Sequence, residues 1–327
     1  MAQTPWRLAS RPPIPHFSQM KFSRLIPAAA LAIGFAATAA AQAPAQGPLV
    51  LLLPVSARAV GLGNASVRDD YAIFYNPARI APTNGIGATF ARYGANGTFG
   101  AFASSVNVGP LNFGWGVELV QFRTRLSSAY PYFPEELVAD GVRSALSFAA
   151  MAGAEYTYKR FNLGVGVKFA EDRVDGIFPS YPTPLSGPSS FQHTRLLADV
   201  GTTHALLGGT AEFAVQNIGD RSSFAVPTTT KLGWTRNVST DQVDFVFAGD
   251  VLERGKWIGG GGGAEVGWGW IEGFSAALRV GARRAEADGQ KPLAVGATLN
   301  ADRLSLDYAL EFFDGNRYAH HIAVRWR

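Results

Sequence analysis

The chain has 327 residues, 47% of them hydrophobic and 17% charged, with 37 glycines and no cysteine. That length suffices for one large β domain, and the missing cysteines exclude disulfides and thiolate metal sites. A mean hydropathy of +0.05 is too low for a helical membrane protein, and past the N-terminal region no apolar run approaches the roughly 20 residues that a spanning helix needs.

Residues 1–41 read as a leader region. The stretch before Met20 carries Pro5, Pro12, Pro13 and Pro15 without a pattern, so Met20 is the expected start. From there Lys21 and Arg24 form a basic beginning, Leu25 to Ala37 an apolar middle, and Ala39-Ala40-Ala41 a small-residue cleavage site. This is the layout of a secretory signal, with Gln42 as the mature N-terminus. All four charged residues before Gln42 are basic (Arg7, Arg11, Lys21, Arg24), so the formal charge falls from +4 to zero in the mature chain. The sequence pI near 9.4 is therefore no sign of nucleic-acid binding.

Residues 42–84 form a second region. An Ala/Pro/Gln linker runs to Pro48, and the following residues to Ala81 hold glycines and clustered aromatics without clean alternation. From Gly85 the chain becomes strand-like. The segments are approximately 85–93, 97–107, 111–122, 144–158, 161–172, 191–203, 210–217, 229–236, 242–250, 261–270, 273–283, 291–300, 303–312 and 318–326. Phe113, Trp115, Val117 and Leu119 alternate with Gly114, Gly116 and Glu118, and Leu163, Val165, Val167 and Phe169 with Gly164, Gly166 and Lys168. Val243, Phe245 and Phe247 alternate with Gln242 and Asp244, and Phe274, Leu278 and Val280 with Ser275, Arg279 and Arg283. In the closing hairpin Leu304, Leu306, Tyr308, Leu310 and Phe312 oppose Ser305, Asp307, Ala309 and Glu311. Its second arm sets Tyr318, His320, Ile322, Val324 and Trp326 against His321 and Arg325. Period two puts each set on its own face of a strand.

The connections alternate as well. Gaps at 108–110, 159–160, 237–241, 271–272 and 301–302 are short, whereas those at 123–143, 173–190, 218–228 and 251–260 are long. Short periplasmic turns and longer outer loops mark a transmembrane β-barrel, here of about 14 strands over residues 85–327. A soluble sandwich also alternates. The loop asymmetry, the signal segment and the glycines and charges on the polar face favour the barrel.

No motif for chemistry stands out. Gly259 to Gly263 lacks the Lys-Ser/Thr of a phosphate loop and reads as a loop running into a glycine-rich strand. Gly61-Leu-Gly63 misses the third glycine of a dinucleotide fingerprint. His320 and His321 point to opposite faces and cannot readily share a metal, and no nucleophile elbow is present. The chain is expected to be no enzyme and to need no cofactor or metal. Aromatic-proline clusters at Tyr130-Pro-Tyr-Phe-Pro134 and Ile177-Phe-Pro-Ser-Tyr-Pro182 suit loop packing, a greasy mouth or a docking surface equally.

Pro54-Val-Ser-Ala-Arg58-Ala-Val-Gly61-Leu-Gly63-Asn64-Ala65, followed by Asp69-Asp70-Tyr-Ala72 and Tyr75-Asn76-Pro77-Ala78, resembles the N-terminal signature of the PorV/PorQ family. That family stands with the FadL-type outer-membrane transporters, and the last hairpin looks like the family's too. Arg79 stands where the family has glycine, and the chain ends Trp326-Arg327 rather than on an aromatic. The resemblance implies a 14-stranded barrel in the bacterial outer membrane, plugged by roughly Leu49 to Ala81. Its plug residues would be Arg58, Gly61, Gly63, Asn64, Asn76, Pro77 and Ala78. Glu118, Lys168, Asp244, Arg279, Asp307 and Glu311 would line the lumen. FadL relatives pass hydrophobic small molecules across or into the membrane. PorV relatives instead hold surface or secreted proteins for a secretion system. Lipid, a hydrophobic ligand and such a protein are the partners implied.

Overall fold

The computed structural model describes residues 49–65, 68–82, 84–93, 97–125, 142–177, 188–219, 228–255, 257–285 and 289–327. The leader, the linker to Pro48 and both aromatic-proline clusters past Ile177 and Arg125 lie outside them. Fourteen antiparallel strands form one closed barrel in which β1 pairs with β14. They are β1 Gly85–Tyr93, β2 Gly97–Val108, β3 Leu111–Arg125, β4 Val142–Tyr158, β5 Phe161–Ile177, β6 Pro188–Leu206 and β7 Gly209–Ile218. The other half is β8 Thr229–Ser239, β9 Val243–Arg254, β10 Trp257–Ile271, β11 Phe274–Arg283, β12 Gln290–Ala301, β13 Leu304–Phe313 and β14 Arg317–Trp326.

The seam closes on a ladder from Ile86 opposite Trp326 to Tyr93 opposite Ala319. Closure leaves no open edge and satisfies the backbone of every strand within the wall, which a bilayer interior demands. Among the described residues no helix is long and apolar enough to cross a membrane.

The alternation places the residues as their parity implies. Leu163, Val165, Val167 and Phe169 of β5 face out, as do Ile322, Val324 and Trp326 of β14. Their partners Lys168, Asp307, Glu311, His321 and Arg325 are buried inside. Exposed apolar side chains run all the way round, far more than a water-soluble monomer presents. Aromatics gather near the short-turn end, where Tyr156, Tyr158, Phe161, Trp268, Trp270 and Trp326 are exposed. Phe312 and Tyr318 meet edge-on at 5.8 Å near the other end. Such girdles suit the two headgroup levels.

The glycine run departs from expectation. Gly259–Gly263 belongs wholly to β10, and β9 extends to Arg254, so the long loop read at 251–260 shrinks to two residues. Glycine has no side chain with which to show parity, so a glycine strand imitates a loop in sequence.

Residues 49–65 and 68–82 lie inside the wall. A short helix, α1 (Ala57–Gly61), is capped by Ser56, whose Oγ accepts from Ala59 N. It packs on β11, β12, β13 and β14. A 3₁₀ turn at Pro77–Arg79 packs instead on β4, β5 and β6. The core is made between this segment and the wall: Val50, Leu53, Val60, Tyr71, Ile73 and Phe74 meet Tyr93, Phe99, Val120 and Phe313. Inward glycines give the segment's backbone its room. A Cβ on Gly164 would sit 2.2 Å from Ala78 N, and one on Gly281 would sit 2.1 Å from Gly63 N. No real Cβ approaches backbone so closely.

Candidate functional site

Three arrangements of polar groups hold the segment to the wall. The first is a charged seam across β10, β11, β13 and β14. Arg58 of α1 donates from Nη2 and Nε to Glu265, at 2.7 and 3.0 Å. Glu265 Oε2 also lies 2.9 Å from Arg279 Nε. Arg279 Nη1 reaches Asp307 Oδ1 at 3.2 Å, and Arg325 Nε donates to Asp307 Oδ2 at 2.8 Å. Thr298 also hydrogen-bonds both Arg279 and Asp307. The helix rests on this seam: a Cβ on Gly61 would press 2.6 Å from Arg279 Cδ. Gly63, in the left-handed region at φ +70°, turns the chain against Ala282 O.

Burial opposes the charge of Arg58, yet the Glu265 carboxylate more than offsets it and the guanidinium stays above its ordinary range. Burial pushes the Asp69 carboxyl up, against the pull of Arg325 and Arg58. Asp69 accepts from Ser56 Oγ at 2.9 Å and from Tyr71 N at 2.9 Å, so it ties the two halves of the segment together. Replacing Arg58 by methionine should cost about 1–3 kcal/mol, the desolvation left on one carboxylate. The loss is modest because Glu265 keeps Arg279. Urea titration of the barrel in lipid vesicles measures it, and a cost above that of Arg279→Met would contradict the seam's order.

The second arrangement surrounds the Asn-Pro-Ala turn. Asn76 Oδ1 accepts from Ala78 N at 2.9 Å, and its Nδ2 donates to Glu212 Oε2 at 3.2 Å. Pro77 and Ala78 lie against Gly164. Arg79 also finds a wall partner, with Nη1 3.3 Å from Glu212 Oε2 and 3.3 Å from Thr235 Oγ1. The arginine in place of glycine is thus met by a buried carboxylate.

The third is a small cavity under the ribbon Val50–Val55, partly open to solvent. Its walls include Leu53, Phe74, Tyr75, Met151 and Leu252, together with Asn64, Glu118, Lys168, Lys231 and Arg254. Lys168 Nζ pairs with Asp199 at 2.7 Å and donates to Asn217 at 2.9 Å. A register shift between Ala198 and Val200 accompanies the left-handed Asn217, at φ 61°, which brings that side chain in. Lys231 pairs with Asp250 at 2.5 Å and lies over the Tyr75 ring at 5.5 Å. The Tyr75 hydroxyl accepts from Val55 N and Ser56 N, both at 2.9 Å, which pins the ribbon above the cavity.

Of the residues expected to line the lumen, Arg279 and Asp307 belong to the seam, and Glu118 and Lys168 to the cavity. Glu311 lies elsewhere on the inner face, bonded to Arg283 and 2.8 Å from His321 Nε2. Asp244 has the inward parity but sits exposed at the short-turn rim, beside Ser239 and Gly267. Parity gives a residue's face and not its height. Glu265, Glu212, Asp199, Lys231 and Asp250 were not singled out from sequence. The inward parity of Glu265 was hidden by the glycines before it, and Arg325 could have been found beside His321. His320 and His204 face outward, and among the described residues no cluster of His, Asp and Glu could hold a metal.

No protein-family model matches the chain, and neither does any curated protein. Among solved structures, the Pseudomonas putida toluene transporter TodX is similar at 10% identity with a TM-score of 0.54, over 84% of this chain and 96% of that one. The deltaS2S3 mutant of TodX, a monoaromatic hydrocarbon channel, is similar at 9% identity with a TM-score of 0.52, over 83% and 97%. At such identities the likeness establishes the barrel fold alone. These neighbours are a transporter and a channel rather than enzymes, and they give no support to the PorV/PorQ assignment.

Proposed function

We propose that the chain is a FadL-like outer-membrane transporter passing hydrophobic small molecules through its barrel, with residues 49–82 acting as the plug. The carrying observation is the cavity beneath Val50–Val55, where apolar side chains such as Leu53, Phe74 and Met151 meet as many polar and charged ones, inside a barrel of the same fold as a toluene transporter. The apolar outer face makes membrane lipid the barrel's surroundings. The segment is joined to the wall by its own chain at β1 and otherwise held by apolar packing, ion pairs and glycine contacts, so it can shift as a ligand passes.

The test is uptake by whole cells whose lipopolysaccharide leaflet is intact. Cells making the protein should take up the apolar fluorophore N-phenylnaphthylamine faster than cells carrying an empty vector. A Met151→Trp variant, which fills the cavity, should return uptake toward the vector level. Equal rates in all three would remove the transport reading. The scaffold reading of the PorV kind rests on sequence resemblance alone, since the 126–141 and 178–187 loops lie outside the described residues. Crosslinking from Tyr130–Pro134 that captures one defined surface protein would favour it.

A further inference from the structure

Glu118 is the odd member of the cavity. It projects from the middle of β3, and its cross-strand neighbours are Ala101 and Ala149, both too short to shield it. It is 3% exposed, and it lines the cavity. The cavity's other ionic groups are engaged. Lys168 holds Asp199, Lys231 holds Asp250, and Arg254 donates to Thr229 Oγ1 at 3.2 Å and lies over the Trp257 ring. Glu118 makes no hydrogen bond or ion pair with any described residue. Its carboxyl oxygens face the cavity and meet no protein donor, and a charged side chain so placed in a cavity is a candidate for ligand binding.

The charges narrow what would satisfy it. Lys168, Lys231 and Arg254 balance Glu118, Asp199 and Asp250, so the surroundings are formally neutral. An anionic ligand would bring a second negative charge to a carboxylate that already lacks a donor. A cationic ligand would upset the balance and approach Lys168. A neutral O–H upsets nothing and gives Glu118 the donor it lacks, while the rest of the molecule rests on Leu53, Phe74, Met151 and Leu252. We infer that the cavity takes an apolar molecule bearing a hydroxyl group, a phenol or an alcohol, whose O–H donates to Glu118. This rests on the transport reading for its role, though not for the binding itself.

Four small aromatics that share one ring separate the possibilities: p-cresol, toluene, benzoate and benzylammonium. Calorimetry on the mature protein in detergent should show p-cresol bound about tenfold more tightly than toluene, since losing one partner of a buried hydrogen bond costs on that scale. Benzoate should bind most weakly. Glu118→Leu keeps the volume and removes the acceptor, so p-cresol should fall to the level of toluene while toluene is unchanged. Glu118→Gln keeps an acceptor oxygen and should retain part of the preference, which guards against a leucine variant that fails to fold. Equal binding of p-cresol and toluene, tightest binding of benzoate, or a preference that survives Glu118→Leu would overturn the inference. If cells show no uptake while the head-group preference holds, the protein binds without transporting and only the transport reading falls. If uptake holds without the preference, the transporter stands and this assignment goes.

Discussion

Arg279→Met should be among the most destabilising single substitutions in the barrel wall. The side chain is 1% exposed and lies between Glu265 and Asp307, both buried. Methionine fills much of its volume, yet it leaves Asp307 with Arg325 and Thr298, and Glu265 with the partly exposed Arg58. Breaking a buried ion pair from one side costs about 3–5 kcal/mol, and Arg279→Met should fall near the lower end, because two buried carboxylates each lose a cation while each keeps another arginine. The loss should appear as a lower urea midpoint for folding into vesicles. Replacing Arg279 and Asp307 together, by methionine and leucine, should recover none of it, because Asp307 still holds Arg325 and its removal strands that buried guanidinium. A single variant as stable as the parent would show that the seam is hydrated or otherwise compensated.

The second large effect is expected from one added side chain. On β5, valine at Gly164 must displace Pro77 and Ala78, whose backbone stands 2.2 Å from the new Cβ. Overpacking of this kind costs about 1–3 kcal/mol. If the segment docks and undocks as a unit, that energy raises its undocked share by roughly 5–150-fold. Under the plug proposal, small-solute leakage from liposomes should rise accordingly, and deleting Leu51 to Ala78 sets the upper limit. Gly166 on the same strand is the control. Its Cβ would find Ala152 O at 3.5 Å, an ordinary contact, so Gly166→Ala should leak no more than the parent. Leakage that is the same in Gly164→Val, in the deletion and in the parent would mean that the segment does not close the lumen.

Much of the barrel was legible because a strand in a two-sided wall writes its orientation on every second residue. The last hairpin shows this well. Its outward Leu306, Tyr308, Ile322 and Val324 and its inward Asp307, Glu311, His321 and Arg325 lie as parity sets them. The glycines of β10 were misjudged for the opposite reason, since a residue with no side chain carries no parity. Asp244 was placed on the right face and at the wrong depth, because alternation has no coordinate along the barrel axis. The segment's glycine and Asn-Pro-Ala positions were visible as a resemblance. What they touch, Gly164, Gly281 and Glu212, could not be read from residues so distant in the chain.

The amino-acid order alone therefore decides that there is a wall, which way each side chain looks from it, and that its inner face is charged and rich in glycine. Each of those depends on near neighbours along the chain, where the pleat has a fixed period of two. Only the closed structure decides which charges meet. Arg58 finds Glu265 across 207 positions, and Arg327 finds Asp70 across 257. Glu118 is left with no such partner because the register of β2 and β4 sets two alanines beside it and that of β5 and β6 commits Lys168 to Asp199. Ion pairing acts over a few ångströms, so it depends on how the strands are staggered around the barrel, and no local pattern encodes that stagger.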